Sequence, residues 1–177
     1  MSDAPHRQAF PDGIADEHAA ARTGWRQHAS PLALVVFGSV IVLGMAGVLG
    51  HERDWAAEAG GVALRVDAPE VSRNGEFFET RITIEAIESV DELVVGVDQA
   101  LWEDMTVNTM IPAATEEVSE DGEFRFIFGP IAAGSTFDMK VDLQVNPDIL
   151  GGNQGRMTVY DGGDELTAVD MDVSVLP

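Results

Sequence analysis

One uninterrupted apolar run constrains the fold of this chain more than any other feature. Residues 31–50 read PLALVVFGSVIVLGMAGVLG and carry no charged side chain. As an α-helix rising about 1.5 Å per residue, this segment would extend about 30 Å, which matches the hydrocarbon core of a bilayer. Ser30 is suited to cap the helix, and Pro31 is suited to its first turn. The sequence therefore predicts one transmembrane helix over 31–50.

Basic residues on either side of this span predict its orientation. Arg7, Arg22 and Arg26 precede it, whereas Arg53 on the other side stands between two acidic residues. Short flanks rich in Lys and Arg are retained in the cytoplasm. We therefore expect residues 1–30 to form a cytoplasmic tail, with the rest of the chain beyond the membrane.

Three flanking residues are predicted to anchor the span at the two membrane interfaces. Trp25 and Arg26 lie just before it, and Trp55 lies just after it. The two tryptophans would be about 45 Å apart along a continuous helix, close to the separation of the headgroup layers. Tryptophan and arginine are enriched at that depth.

A cleaved signal peptide is the competing interpretation, because Val48 and Gly50 suit a small-residue cleavage site. The apolar run exceeds the usual 7 to 15 residues, however, and a long region precedes it. We therefore favour an uncleaved anchor. The chain contains no cysteine, which excludes lipoprotein attachment and disulfides, and an exported domain without disulfides points to the inner membrane of a bacterium.

Beyond a juxtamembrane linker over 51–61, the apolar pattern changes to a period of two, which is typical of half-buried strands. The clearest example runs from Phe137 to Val145, where apolar residues alternate with Asp138, Lys140 and Asp142. Similar alternation recurs near residues 62–66, 82–86, 93–97, 124–128, 157–159 and 169–175.

Turn signals separate these runs, among them Asn74-Gly75, Asp121-Gly122 and Asp161-Gly162. Seven or eight short strands with one apolar face each are expected to pack as two sheets. The sequence therefore predicts an all-β sandwich over 62–177.

The stretch FRFIFGPIAAGSTFDMKVDLQVNP, from Phe124 to Pro147, resembles the late strands of bacterial immunoglobulin-like sandwich domains. The resemblance implies an immunoglobulin-like two-sheet fold over about 62–177, and it carries no catalytic residues with it. Antibody-type features are absent, since Trp102 has no disulfide to pack against.

The composition of the β-domain excludes several kinds of chemistry. All four histidines, His6, His18, His28 and His51, precede residue 62, and there is no cysteine. Ser-His-Asp and Cys-His catalysis and ordinary zinc sites are therefore unavailable within the domain. No phosphate-binding glycine loop occurs. We predict a protein that is not an enzyme and that carries no cofactor.

The domain is strongly acidic. The chain has 31 acidic and 10 basic residues, of which 4 acidic and 3 basic ones belong to residues 1–30. The remainder has 27 acidic and 7 basic residues and therefore a net charge of −20. This charge argues against binding to nucleic acid and to anionic lipid surfaces. Calcium is an alternative partner, through Asp161, Asp164 and Glu165 or through Asp170 and Asp172. We favour a solvated acidic face.

Small residues in the apolar run are candidates for helix packing. Ala46 and Gly50 have the spacing that lets two membrane helices approach closely. Gly44 and Gly47 add small residues at the same end of the helix, and Gly38 is a separate small residue nearer its middle. We expect these residues to face other membrane subunits.

Two functions are consistent with these features. The first is a non-enzymatic accessory subunit that stabilises a larger membrane complex, such as a respiratory or photosynthetic one, through its helix and its β-domain. The second is a free-standing, membrane-anchored module that binds a ligand, calcium or a surface protein.

Overall fold

The structure is a computed structural model that describes residues 26–46, 52–147 and 151–176. The chain divides into two compact units, residues 1–46 and 47–177. The described part of the first unit, residues 26–46, forms an α-helix, α1, from Arg26 to Met45. The second unit contains the β-domain.

Helix α1 begins five residues before the predicted start, so Pro31 lies inside the helix. Proline has no N–H group, and one intrahelical hydrogen bond is therefore missing at this point. The predicted span of 31–50 continues past the end of the helix, and residues 47–50 belong to the part that the structure does not describe. Among the described residues, no helix combines the length and the apolar character needed to cross a membrane.

The β-domain is a sandwich of two sheets. Sheet one has five strands in the spatial order β1-β2-β4-β9-β6, and all of its pairings are antiparallel. Its strands are β1 (Glu52–Ala59), β2 (Val62–Pro69), β4 (Phe77–Ala86), β9 (Thr136–Val145) and β6 (Met105–Ile111).

Sheet two has six strands in the spatial order β3-β11-β10-β5-β8-β7, in which only the β3–β11 pair is parallel among the described strands. Its strands are β3 (Val71–Arg73), β11 (Asp164–Leu176), β10 (Asn153–Asp161), β5 (Val90–Asp98), β8 (Glu123–Ile131) and β7 (Glu116–Glu120). A 3-10 turn, Gln99–Leu101, follows β5.

The core lies between the inner faces of the two sheets. Sheet one contributes Ile82 and Met139, and sheet two contributes Val95 and Met157, each of them fully buried in one cluster. The alternation along β9 leaves Met139, Val141, Leu143 and Val145 buried and the residues between them more exposed. The predicted two-sheet, all-β architecture is therefore confirmed.

The prediction of a linker over 51–61 is wrong, because residues 52–59 form strand β1 along the whole length of β2. The two strands are joined at Gly60-Gly61, where both residues have positive φ (57° and 76°), as a tight two-residue hairpin requires. The β-domain therefore begins at Glu52 rather than at residue 62.

The assignment of Trp55 to a membrane interface is also wrong. Its side chain is only 7% exposed and packs in the core of the sandwich, with the Arg53 guanidinium 5.4 Å from its ring centroid. The hairpin places Trp55 opposite the buried Val66, and a side chain enclosed between two sheets cannot reach lipid headgroups.

Eleven strands are present in the described residues, four more than the alternation identified. The additional strands are β1, β3, β6 and β7. All four lie at sheet edges, where a strand buries little of its surface and needs no regular apolar face.

Candidate functional site

The most prominent concave surface is a groove of about 640 Å³ between β6 and β7, the edge strands on one side of the sandwich. We call it the edge groove. Its apolar lining consists of Trp102, Met105, Val107, Met110, Phe124 and Phe126. Glu117 and Ser119 from β7 add one carboxylate and one hydroxyl.

Two aromatic residues form the inner end of the edge groove. Trp102 and Phe126 are both buried, and their ring centroids are 5.8 Å apart at an angle of 48°. The 3-10 turn before Trp102 is fixed by Asn153, whose side-chain amide donates to the carbonyls of Leu101 (3.3 Å) and Glu103 (2.5 Å). The groove is therefore supported by a rigid part of the core.

The register of the strands explains which side chains line the groove. Met105, Val107 and Met110 on β6 pair with the buried Val145, Leu143 and Val141 on β9, so they share the inner face of sheet one. Because β6 ends the sheet, Val107 is nonetheless 43% exposed. The groove is the uncovered margin of the hydrophobic core.

A second site, which is polar, lies on the outer face of sheet two. Glu123 is only 7% exposed and accepts hydrogen bonds from Arg125 Nε (2.7 Å) and from the Tyr160 hydroxyl (3.1 Å). The Arg125 guanidinium lies 4.9 Å from the centroid of the Tyr160 ring. Gly96, at the centre of β5, provides the space, because a Cβ there would overlap the Glu123 carboxylate.

The electrostatics of this cluster follow from its contacts. The hydrogen bond with Glu123 raises the pKa of Arg125. Burial, followed by the hydrogen bond with Glu123, raises the pKa of Tyr160, because both disfavour the phenolate. The Glu123 carboxylate is thus bonded within the cluster, which stabilises the sheet.

Ion pairs cover the outer face of sheet one. Arg65 pairs with Asp54 (2.7 Å) and Asp67 (3.1 Å). A hydrogen bond shared by the two carboxyl groups raises the pKa of Asp54 and lowers that of Asp67. In a second group, Glu79 pairs with Arg81 (2.8 Å), whose hydrogen bond lowers the pKa of Glu79. Exposed pairs of this kind contribute little to stability.

Some of the carboxylates considered for calcium form other contacts. Asp161 accepts a hydrogen bond from the Glu92 backbone N–H (2.9 Å), and Glu165 pairs with Arg156 (2.8 Å). Asp170 and Asp172 are exposed on β11. Within residues 26–46, 52–147 and 151–176, no group of three or more His, Cys, Asp or Glu side chains is placed to hold a metal ion.

The helix-packing candidates are only partly described. Gly38 lies on α1, and among the described residues no atom outside the helix backbone lies within 4 Å of a Cβ built on it. Gly44 is close to the C-terminal end of α1, and Ala46 follows that end. Gly47, Gly50 and the interface candidate Trp25 lie outside the described residues, and Arg26 is the first residue of α1.

The sequence analysis missed both the edge groove and the Glu123 cluster. A signal for the cluster was present, because Gly96 interrupts the β-branched run of β5, and a glycine inside a strand often marks a close approach. The groove has a weaker signal in MTVNTMI, an uncharged segment between charged ones.

No protein-family model matches the chain, and no curated protein sequence is significantly similar to it. Among solved structures, it is similar to ChBD2 from Thermococcus kodakarensis KOD1 (18% identity, TM-score 0.40, covering 63% of this chain and 98% of that one). It is also similar to the chitin-binding domain of a chitinase from Pyrococcus furiosus (16% identity, TM-score 0.40, covering 64% of this chain and 99% of that one).

A third similar structure is a non-cellulosomal cohesin from the archaeon Archaeoglobus fulgidus (12% identity, TM-score 0.36, covering 67% of this chain and 86% of that one). At these identities and TM-scores, the similarities assign no ligand or partner to this chain.

Proposed function

We propose that this chain is a non-enzymatic accessory subunit of a larger membrane protein complex, such as a respiratory or photosynthetic assembly. The observation that carries the proposal is the surface of α1. Leu34, Val35, Val36 and Phe37 are 72%, 64%, 54% and 68% exposed. Successive helical residues project about 100° apart, so these four cover the whole circumference of the helix with apolar side chains.

A helix that is apolar on every side is stable where lipid or other helices cover it. Burial of one such side chain is worth about 1.5–3 kcal/mol, and the exposed apolar residues continue along α1 through Val40, Ile41 and Met45. The apolar sequence also continues through Gly50. We propose that residues 31–50 anchor the chain in a bacterial inner membrane, with the N-terminal tail in the cytoplasm.

The β-domain would lie outside the cytoplasm and contact the partner subunits. Its lack of histidine and cysteine supports a binding role rather than catalysis. We also propose that the sandwich belongs to the immunoglobulin-like class. This assignment rests on the resemblance of residues 124–147 and is consistent with two mainly antiparallel sheets.

Membrane insertion and orientation are tested with the tagged full-length chain in bacterial cells. Because the chain has no cysteine, Ser2→Cys and Ser135→Cys each introduce a single reporter, the second in an exposed turn. We expect the chain to stay in the membrane pellet after alkaline carbonate washing. A membrane-impermeant maleimide should label Ser135→Cys in spheroplasts and Ser2→Cys only after lysis. Release by carbonate would contradict the anchor.

Helix packing is tested with Gly38→Leu. A Cβ added at this position meets no described atom outside the backbone of α1, so lost assembly would indicate a clash with a partner helix. Val36→Leu, on a different side of α1, is the matched control. We expect Gly38→Leu to reduce co-migration with partner subunits on native gels while the β-domain stays folded. Equal co-migration of both variants would exclude Gly38 from the interface.

The second candidate, a free-standing membrane-anchored binding module, is favoured by one observation, the edge groove. An apolar groove with few polar groups is typical of binding sites. This version predicts that the chain is recovered from mild detergent without stoichiometric partners and that it binds its ligand through β6 and β7.

A further inference from the structure

The edge strand β6 lacks the charged residues that usually prevent a sheet from pairing with another chain, and its pairing with β9 is regular on either side of a bulge between Val107 and Thr109. Its sequence, MTVNTMI, has no charged residue, and Val107 and Ile111 are 43% and 60% exposed. Natural edge strands are usually protected by charges, as in β7, where Glu116, Glu117 and Glu120 make up three of five residues. Strand β6 therefore has an accessible, uncharged edge.

The ladder with β9 indicates which backbone groups of β6 are free. The Asn146 N–H donates to the Asp104 carbonyl (3.0 Å), so residue 104 points its backbone groups toward β9. In an antiparallel pair this orientation alternates with each residue, which turns the N–H and C=O of Val107 away from β9. Among the described residues, no backbone group of 106–111 bonds to anything beyond β9.

The edge groove lies directly beside this free edge. A strand added to β6 would extend sheet one across the groove, and every second side chain would pack against Met105, Met110 and Phe124. The groove volume of about 640 Å³ is sufficient for several aliphatic side chains. An added strand would thus bury the uncovered margin of the core.

Charge restricts the sequence of such a strand. Strands β6 and β7 contain three acidic residues and no basic one. Asp142 is exposed on the outer face of the neighbouring strand β9, the face to which every other residue of an added strand would point. The aliphatic stem of a lysine at such a position could lie along β6 while its ammonium group reaches this carboxylate.

We infer that the free edge of β6 binds an extended segment of a partner protein in which apolar residues alternate with basic ones, the segment pairing with β6 and its apolar side chains filling the edge groove. This inference rests on one part of the proposed function, namely that the chain binds a partner protein.

The probe is the peptide acetyl-Lys-Ile-Lys-Val-Lys-Ile-Lys-amide, titrated into the full-length chain in mild non-ionic detergent. Binding is measured through the fluorescence of tryptophan, since Trp102 lines the groove, and is checked by calorimetry. Two further peptides of the same sequence carry methyl groups on backbone nitrogens. In the first peptide these are the nitrogens of the lysines, and in the second they are the nitrogens of the Ile and Val residues. Alternate residues of a strand bond on opposite edges, so only one methylation pattern should abolish binding. A peptide with Glu in place of Lys should bind more weakly.

Two pairs of variants locate the site. Val107→Pro removes the free N–H without breaking a bond to β9, and Val107→Thr keeps it. We expect Val107→Pro to weaken binding about tenfold and Val107→Thr to have little effect. Asp142→Asn should weaken binding about two- to fivefold, because it removes one exposed ion pair. Glu88→Gln, in an exposed turn away from the groove, is its control.

The inference would be overturned if both methylated peptides bound equally well or if neither bound. It would also be overturned if the peptide bound equally well to Val107→Pro and Val107→Thr. Absence of any peptide binding would also overturn it. A concentration-dependent dimer that Val107→Pro abolishes, without peptide binding, would assign the edge to a second copy of this chain. Because the titration uses the purified chain alone, its failure would leave membrane insertion and co-migration, which test the proposed function, unaffected.

Discussion

Substitution of Gly96 by alanine tests whether the Glu123 cluster is as tightly packed as the structure indicates. The new Cβ would overlap the Glu123 carboxylate and would lie 2.8 Å from Cε2 of Tyr160. The carboxylate must therefore move away from Arg125 and from the Tyr160 hydroxyl, which now donate to it at 2.7 and 3.1 Å.

The expected loss follows from these two hydrogen bonds. Each bond to a charged group is worth about 1.5–3 kcal/mol. About half of the energy of the two hydrogen bonds should be recovered, because Arg125 is 30% exposed and the displaced groups can bind water. Alanine also gains about 0.5 kcal/mol over glycine in a strand. We therefore expect Gly96→Ala to lower the free energy of unfolding by about 1–2.5 kcal/mol.

Urea unfolding of the full-length chain in mild detergent measures this loss, followed by the fluorescence of the buried Trp55 and Trp102. Gly163→Ala is the matched control, because nothing lies within 4 Å of its added Cβ, and it should change stability by less than about 0.5 kcal/mol.

A double-mutant cycle then identifies the cause. In a Glu123→Ala background the carboxylate is absent and Tyr160 Cε2 remains the close contact, so the further change Gly96→Ala should cost much less than in the natural chain. If Gly96→Ala costs the same in both backgrounds, the carboxylate is not the source of the strain and the reasoning is refuted.

Three other predictions concern stability. Phe126→Ala should destabilise the domain by about 3–5 kcal/mol, because the ring is 7% exposed and packs on Trp102; a near-neutral result in urea unfolding would show that this ring is not part of the core. Tyr160→Phe should cost about 1–2 kcal/mol through the lost hydrogen bond to a buried carboxylate, a cost that should disappear at high pH as the raised pKa of the phenol is passed. Asp54→Asn should raise the melting temperature at neutral pH, because the amide can donate a hydrogen bond to Asp67, as the protonated Asp54 carboxyl does, and no longer repels it; the gain should shrink as the pH falls through the raised pKa of Asp54, and a gain independent of pH would exclude this cause.

The strands that the sequence predicted are those that bury one face. Alternation along β9 and β2 identified both strands, because each residue between two sheets must be apolar while its neighbours face solvent. Strand β1 escaped detection, since Trp55 is its one large apolar residue and small alanines follow it. The same tryptophan, read as an interface anchor, is instead part of the core.

The edge groove was beyond prediction for a different reason. Strands β6 and β7 are separated by only four residues, 112–115, yet they belong to different sheets. A strand pattern shows which residues share a face, but it does not show where the chain leaves one sheet for the other. The groove exists because that change occurs between Ile111 and Glu116 and leaves both edges uncovered.

The most direct test of the central proposal is the composition of the native particle that contains this chain. The tagged chain should be extracted from native membranes in mild detergent, separated on a native gel and quantified by mass spectrometry. The account predicts co-migration with a fixed, near-stoichiometric set of membrane proteins, which is reduced in Gly38→Leu and retained in Val36→Leu. Migration of the full-length chain alone, from membranes in which it is abundant, would contradict an accessory role and would favour the free-standing binding module.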